Sequence, residues 1–200
     1  MSEHPDRSHL VRHVEDAQDK YLLHYGEGFL YESLPVGSRV IYPPEPFAGI
    51  PDVRGAIAQA VENPLEADPL SAQLRPGMKV TIAFDDISLT LPPMEKPDFR
   101  QTAIELLVEK LTAAGVTDIH LIAALGLHRR MTPKELEASV GKRVFDQFHP
   151  SGQLYNHDAE DTENMELLGR TEQGEHVELN RRAVESDLVI YVNLNLTAMD

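Results

Sequence analysis

The 200-residue chain carries 33 acidic against 18 basic side chains, a formal net charge of −15, and no cysteine. A phosphate backbone needs clustered positive charge, so the balance argues against a nucleic-acid surface, and thiolate metal sites, disulfides and cysteine nucleophiles are excluded within the chain. No apolar run approaches the roughly 20 residues of a membrane span, and the start lacks a signal-peptide pattern. The reading is a soluble cytoplasmic protein that meets small molecules, with no nucleic acid and no membrane as partner.

In chain order, residues 1–20 are polar and read as a frayed helix or arm. His9 and His13 have the i, i+4 spacing of a helical zinc pair, but no third ligand stands near them, and no metal ligand is assigned. Residues 21–200 read as one α/β domain. Its first segment, 21–42, alternates β-favouring residues with breaks at Gly26, Gly28 and Pro35-Val36-Gly37, as short antiparallel strands would. Asp52 caps a helix that runs to Glu62 and ends at Asn63-Pro64. Arg75-Pro76-Gly77 is a turn, and 79–84 is a buried strand. Asp98 caps the next helix, which reaches Ala114 and stops at Gly115 with Ile104, Leu107, Val108 and Leu111 on one face. Residues 119–124 form another strand. Strand, helix, strand is a βαβ unit, so the expected fold is Rossmann-like: a mostly parallel sheet with flanking helices, plus short antiparallel strands near the N-terminus.

A helix then begins at Pro133, because Thr132 and Glu135 form a capping box around it. Residues 148–161 read as loop. A hairpin turning near Gln173-Gly174 follows, then a short helix from Asn180 or Arg181 to Ser186, and a last buried strand over 188–192. The chain stops soon after that strand, which reads as a fragment truncated at its C-terminus.

Three core strands thus run into polar residues: Phe84 into Asp85-Asp86, Ala124 into Gly126-Leu127-His128, and Val192 into Asn193-Leu194-Asn195. If the strands are parallel, these residues share one edge of the sheet, the edge where open α/β sheets bind ligands. His128 stands out, because histidine is the side chain best suited to moving protons near neutral pH. Arg129 and Arg130 add positive charge for an anionic ligand. The run Asp85-Asp86-Ile87-Ser88 either holds a ribose, a phosphate environment or a metal, or serves only as turn chemistry. Residues 156–161, Asn-His-Asp-Ala-Glu-Asp, could orient a catalytic group or bind a cation, but read first as a solvated acidic loop. His120, inside an apolar strand, reads as structural. Dinucleotide, P-loop and nucleophile-elbow motifs are absent.

From Asn63 onward the chain resembles the N-terminal part of the lactate racemase family, enzymes that use a nickel-pincer nucleotide. The resemblance rests on Asn63-Pro64, Pro69-Leu70, Pro76-Gly77-Met78-Lys79-Val80, Asp86, Gly126-Leu127-His128-Arg129 with Thr132 and Glu135, Gly141, Asn156-His157-Asp158, and Glu178-Leu179-Asn180-Arg181. One residue at a time these are weak; their order and spacing are specific. The resemblance implies that His128 is one of two catalytic histidines flanking the substrate carbon, and that Asp86, Ile87, Ser88 and Leu89 lie against the nickel-pincer nucleotide. It implies an isomerase, a racemase or epimerase of a 2-hydroxy acid, served by a cofactor-synthesis machinery. One histidine takes the hydroxyl proton while the cofactor accepts the C2 hydride.

Two departures follow from the same comparison. The family loop reads D-x-T-R-P, with an arginine for the substrate carboxylate, and Leu89 stands in that arginine's place. Leucine cannot make the bidentate pair, so an altered hydroxy acid or a different alcohol fits better than lactate. The family's cofactor-bearing lysine, nickel-ligating histidine and second catalytic histidine lie beyond a strand like 188–192, so the 200 residues alone are expected to be inactive. The alternative is a non-catalytic ligand- or nucleotide-binding homologue that lost the carboxylate arginine.

Overall fold

The protein is described from a computed structural model covering residues 8–25, 28–45, 48–87 and 96–194. Its chain divides into two compact units, Met1–Gly49 and Ile50–Asp200.

In the first unit, a 3-10 turn at Ser8–Leu10 leads into β1 (Val11–His13). A hairpin follows, β2 (Lys20–Tyr25) with β3 (Gly28–Ser33), and then β4 (Arg39–Ile41), which pairs antiparallel with β1. The short antiparallel strands are therefore present, but the helix or arm expected near the start is not what residues 8–13 form. Val11 faces Ile41 across the ladder, and the buried Val14 donates its N–H to the Ser38 carbonyl at 2.9 Å. Backbone pairing to a distant strand overrides weak local helix preference. His9 and His13 consequently do not share a helix face, which removes the geometry of a helical zinc pair.

The second unit carries the parallel sheet. It opens with α1 (Val53–Glu62), whose first turn is closed by the Asp52 carboxylate accepting from the Gly55 N–H at 2.8 Å, and a short α2 (Leu70–Gln73). Next come β5 (Lys79–Asp85), α3 (Phe99–Ala113), β6 (Asp118–Ala124), α4 (Pro133–Val140), α5 (Lys142–Phe148) and β7 (Leu154–Asn156). A hairpin of β8 (Met165–Arg170) and β9 (His176–Asn180) precedes α6 (Arg181–Val184) and β10 (Leu188–Val192). The four-stranded sheet has the order β10-β5-β6-β7, and all its pairs are parallel.

Side chains alternate across a strand, so the sheet has two different faces. Val80, Ile82, Phe84, Leu121 and Leu154 point to one and pack with Ile104, Leu107, Val108 and Leu111 of α3, all essentially fully buried. The α3 residues are the stripe expected from their spacing. Thr81, His120 and Tyr155 lie on the other face, which is covered more sparsely.

Two features of this region depart from the sequence reading. The segment 148–161 is not all loop, because Leu154–Asn156 adds a strand to the sheet beside β6. Three residues are too few to show a period, and only the neighbouring strand defines them. The Pro133 helix also ends early. Gly141 has φ +82°, and a Cβ there would sit 2.5 Å from the Gln101 side chain, so the chain turns at a glycine and restarts as α5. Among the described residues, no helix is long and apolar enough to cross a membrane.

Chain order fixes where a ligand belongs in such a sheet. From β5 the chain winds through β6 to β7 on one side, then returns to place β10 on the other. The direction therefore reverses between β5 and β10, and a crevice opens outside the carboxyl ends of strands at such a reversal.

Candidate active site at the carboxyl edge of the sheet

The exits of β5, β6 and β10 do share one edge, as their parallel pairing requires. Asp85 and Asp86, consecutive at the end of β5, send their carboxylates to opposite neighbours. Asp86 reaches the loop after β6, where its Oδ2 lies 3.0 Å from His128 Nδ1. Asp85 reaches the exit of β10, accepting from the Tyr191 hydroxyl at 2.6 Å and from the Leu194 N–H at 2.5 Å. The Tyr191 phenol is pushed up to about 12, first by that hydrogen bond and then by burial, so it stays protonated and donating. Two adjacent carboxylates thus tie one strand exit to both of its neighbours.

The Asp86–His128 pair sets the chemistry of the ring. Asp86 is buried, its side chain 7% exposed, whereas the His128 side chain is 54% exposed. A carboxylate can only accept, so the neutral imidazole carries its proton on Nδ1 and leaves Nε2 as the basic nitrogen. An aspartate that holds a histidine in one tautomer and orientation is the arrangement of hydrolytic triads. The pair can therefore present a base at a defined atom.

Backbone and side chains fix the loop around it. Gly126, at φ +58°, admits the turn in which the His128 N–H donates to the Leu125 carbonyl at 3.0 Å. Thr132 and Glu135 close the capping box of α4, as their spacing indicates. Arg129 donates twice to Glu135, at 2.8 and 3.0 Å. Those bonds come first, and the Thr132 N–H next, in drawing the Glu135 carboxyl down to about 2. Arg130 pairs with Asp158, and Asn156 bonds both the N–H and the carbonyl of Met131, at 3.1 and 2.8 Å. Residues 156–158 thus brace the His128 loop from β7, which favours the orienting role over a merely solvated loop.

A further support was not singled out in the sequence. Arg100, in the first turn of α3, is buried and paired with Asp98 at 3.0 and 2.7 Å. Its Nη1 donates to the Asp85 carbonyl at 2.8 Å and the Asp86 carbonyl at 3.0 Å. One guanidinium therefore holds the backbone of both site carboxylates. The signal available beforehand was an arginine two residues after a capping aspartate, which by itself reads as a helix-surface charge.

Beside His128 is a cavity of about 320 Å³, lined among others by Leu127, Arg130, His157, Asp158 and Glu160. Ile87 is exposed at the start of the loop after β5. Ser88, Leu89 and Asn195 lie outside the described residues. Among the described residues no group of three histidine or acidic side chains is placed to hold a metal ion. His120 lies away from this edge, in β6, with Tyr155 edge-on at 5.9 Å and a buried Nδ1 that has no hydrogen-bond partner. Burial, and then Arg182, lower its pKa.

Fold and edge together define a Rossmann-like α/β domain whose polar groups gather at the carboxyl edge of its parallel sheet. The lactate racemase N-terminal domain family matches residues 25–195, and the chain belongs to that family. A lactate racemase of Thermoanaerobacterium thermosaccharolyticum is 26% identical over 135 residues, which are 67% of this chain and 29% of that protein. The solved lactate racemase apoprotein of the same organism superposes with a TM-score of 0.62 at 25% identity, covering 86% of this chain and 38% of that one. The chain therefore spans well under half the length of these relatives. The family resemblance and the fold class read from the sequence are both borne out.

Proposed function

We propose that this chain is the N-terminal part of an isomerase, a racemase or epimerase of a 2-hydroxy acid or related alcohol that works with a nickel-pincer nucleotide. The observation that carries the reading is the 3.0 Å Asp86–His128 pair at the carboxyl edge of the sheet, in a chain of this family. His128 takes the substrate hydroxyl proton on Nε2 and returns it there in the reverse direction. Asp86 keeps Nδ1 protonated and stabilises the imidazolium formed in the step. Arg100 holds the Asp86 backbone so that the pair does not drift.

The loop opening with Asp86 and Ile87 fits a planar cofactor ring, since Ile87 offers an exposed apolar side chain next to a carboxylate already committed to His128. Ser88 and Leu89 follow in sequence, and on the family resemblance we assign all four residues to cofactor contact. Nickel coordination is not attributed to the described residues, which supply no ligand cluster. When bound, the nickel-pincer nucleotide supplies an acceptor for the C2 hydride. Leu89 cannot pair with a carboxylate, so the substrate differs from lactate. Cofactor-synthesis machinery is the implied partner, and the cytoplasm the implied compartment.

The test is to co-produce the full-length gene product with the cofactor-synthesis machinery and measure nickel content, intact mass and interconversion of 2-hydroxy acids. We expect nickel, a covalent mass addition, and a loss of at least about a hundredfold in turnover for His128→Ala. Folded protein without nickel or mass change overturns the reading in favour of a non-catalytic binding homologue. The 200 residues alone are expected to be inactive, and robust interconversion by them would refute that part.

A further inference from the structure

We infer that His157 is a second substrate-contacting group in this cavity, a fixed hydrogen-bond donor through Nε2 that works opposite in sense to His128. The inference rests on the racemase reading for the identity of the substrate and on geometry for everything else. His157 follows β7, its N–H donating to the Ala123 carbonyl at 3.0 Å, and its ring lines the same cavity of about 320 Å³ as His128.

Its tautomer is settled by Asn180. That residue caps α6, and its Oδ1 accepts from the Ala183 N–H at 3.3 Å. With the oxygen committed there, the nitrogen of the amide faces the ring, Nδ2 lying 3.2 Å from His157 Nδ1. An amide nitrogen can only donate, so His157 Nδ1 accepts and the neutral ring carries its proton on Nε2. His128 is the mirror case, because Asp86 can only accept and the proton sits on Nδ1. In their neutral forms the two imidazoles lining the cavity take complementary tautomers. One offers a basic nitrogen and the other an N–H.

That asymmetry suits a hydroxy acid. A substrate with adjacent oxygens needs a base for one proton and a donor for an oxygen that carries charge during the reaction. A donor is also what the chain lacks where Leu89 replaces the arginine. The remaining cations near His128 are engaged, Arg129 by Glu135 and Arg130 by Asp158. Among the described residues His157 Nε2 has no partner.

Two variants separate this role from a structural one. Asn180→Asp keeps an oxygen for the Ala183 N–H, so α6 stays capped, but replaces the donor facing His157 with an acceptor and moves the ring proton to Nδ1. His157→Gln keeps an N–H near the Nε2 position without an imidazole. Ring-nitrogen NMR on the full chain, followed as a function of pH so that the neutral rings are observed, reads the tautomers directly, with glycolate as the probe. We expect His157 to carry its proton on Nε2, to shift on glycolate addition, and to lose both properties in Asn180→Asp. In the cofactor-loaded full-length enzyme, Asn180→Asp should raise KM roughly tenfold with a smaller change in kcat, the loss of one hydrogen bond, and His157→Gln should retain most of the wild-type KM.

A proton on Nδ1 of wild-type His157, or a His157 ring indifferent to glycolate, overturns the inference whatever the enzyme does. Absence of any interconversion by the loaded wild type overturns the racemase reading, while a His157 response to glycolate would still establish the donor.

Discussion

The two faces of the parallel sheet are built on different principles. The α3-facing side is apolar and closed: Val80, Ile82, Phe84, Leu121 and Leu154 are almost completely buried against one helix stripe. The opposite side is held by polar contacts. Arg182 donates to the carbonyls of Val80 and Asp118, at 3.3 and 3.2 Å, and to the Asp118 carboxylate at 2.8 Å, while Thr81 and Ser186 share a hydroxyl contact at 2.8 Å. The Arg182 bond is the first cause lowering the Asp118 pKa. Further along that side, Val189 and Tyr191 are exposed. Parallel strands are ordinarily covered on both faces, so the closed side carries the stability of this unit and the polar side adds register and orientation. The edge carrying the candidate site is where they meet, with Asp86 directed to one neighbour and Asp85 to the other.

The comparison can be broken by substitutions taken in order of expected effect. Arg100→Ala should cost most, about 3–5 kcal/mol, because it leaves the Asp98 carboxylate buried without its partner and frees two carbonyls at the β5 exit; chemical denaturation measures it, and a cost within that of a surface change would dissolve the bracing role given to Arg100. Ile104→Ala, on the closed face, should cost about 2–5 kcal/mol through lost burial and a residual cavity. Arg182→Ala should cost less, about 1–3 kcal/mol, as the bonds it makes on the polar face are lost. If it matched or exceeded Ile104→Ala, the polar face would be a full share of the core rather than a brace.

A smaller effect concerns pH. Burial lowers the His120 pKa below its ordinary value of about 6.5. The unfolded chain therefore binds this proton more readily than the folded one. Stability from a neutral His120 is fully present above about pH 6.5 and is lost as pH falls through the lower folded value. Denaturation midpoints between neutral and acid pH should decline less in His120→Gln than in wild type, and parallel curves would remove His120 from the account. Least of all, Val189→Ala on the exposed stretch should stay within about 0.5 kcal/mol.

Much of this architecture was legible in the chain. Asp52, Asp98 and the Thr132/Glu135 box announced three helix starts, because caps act through bonds only two or three residues long. The strands 79–84 and 188–192 were visible as short apolar runs, but the second is not the buried strand its composition suggests: only Val192 is buried, and Val189 and Tyr191 face outward at the sheet edge. Other features depend on partners far along the chain. The strand at Leu154–Asn156 exists by pairing with β6, and Val11–His13 is strand rather than helix by pairing with β4.

By itself, then, the sequence determined the local elements, the family pattern and His128 as the residue to watch, since each depends on short-range spacing or on residue type. Only the tertiary structure decided what surrounds that histidine. Asp86 and His128 are 42 positions apart, Asp85 and Leu194 are 109 apart, and Asn180 meets His157 across 23 residues. Contacts at such separations are created by strand order and register, which bring the carboxyl ends of distant strands to one edge and thereby choose each ring's tautomer.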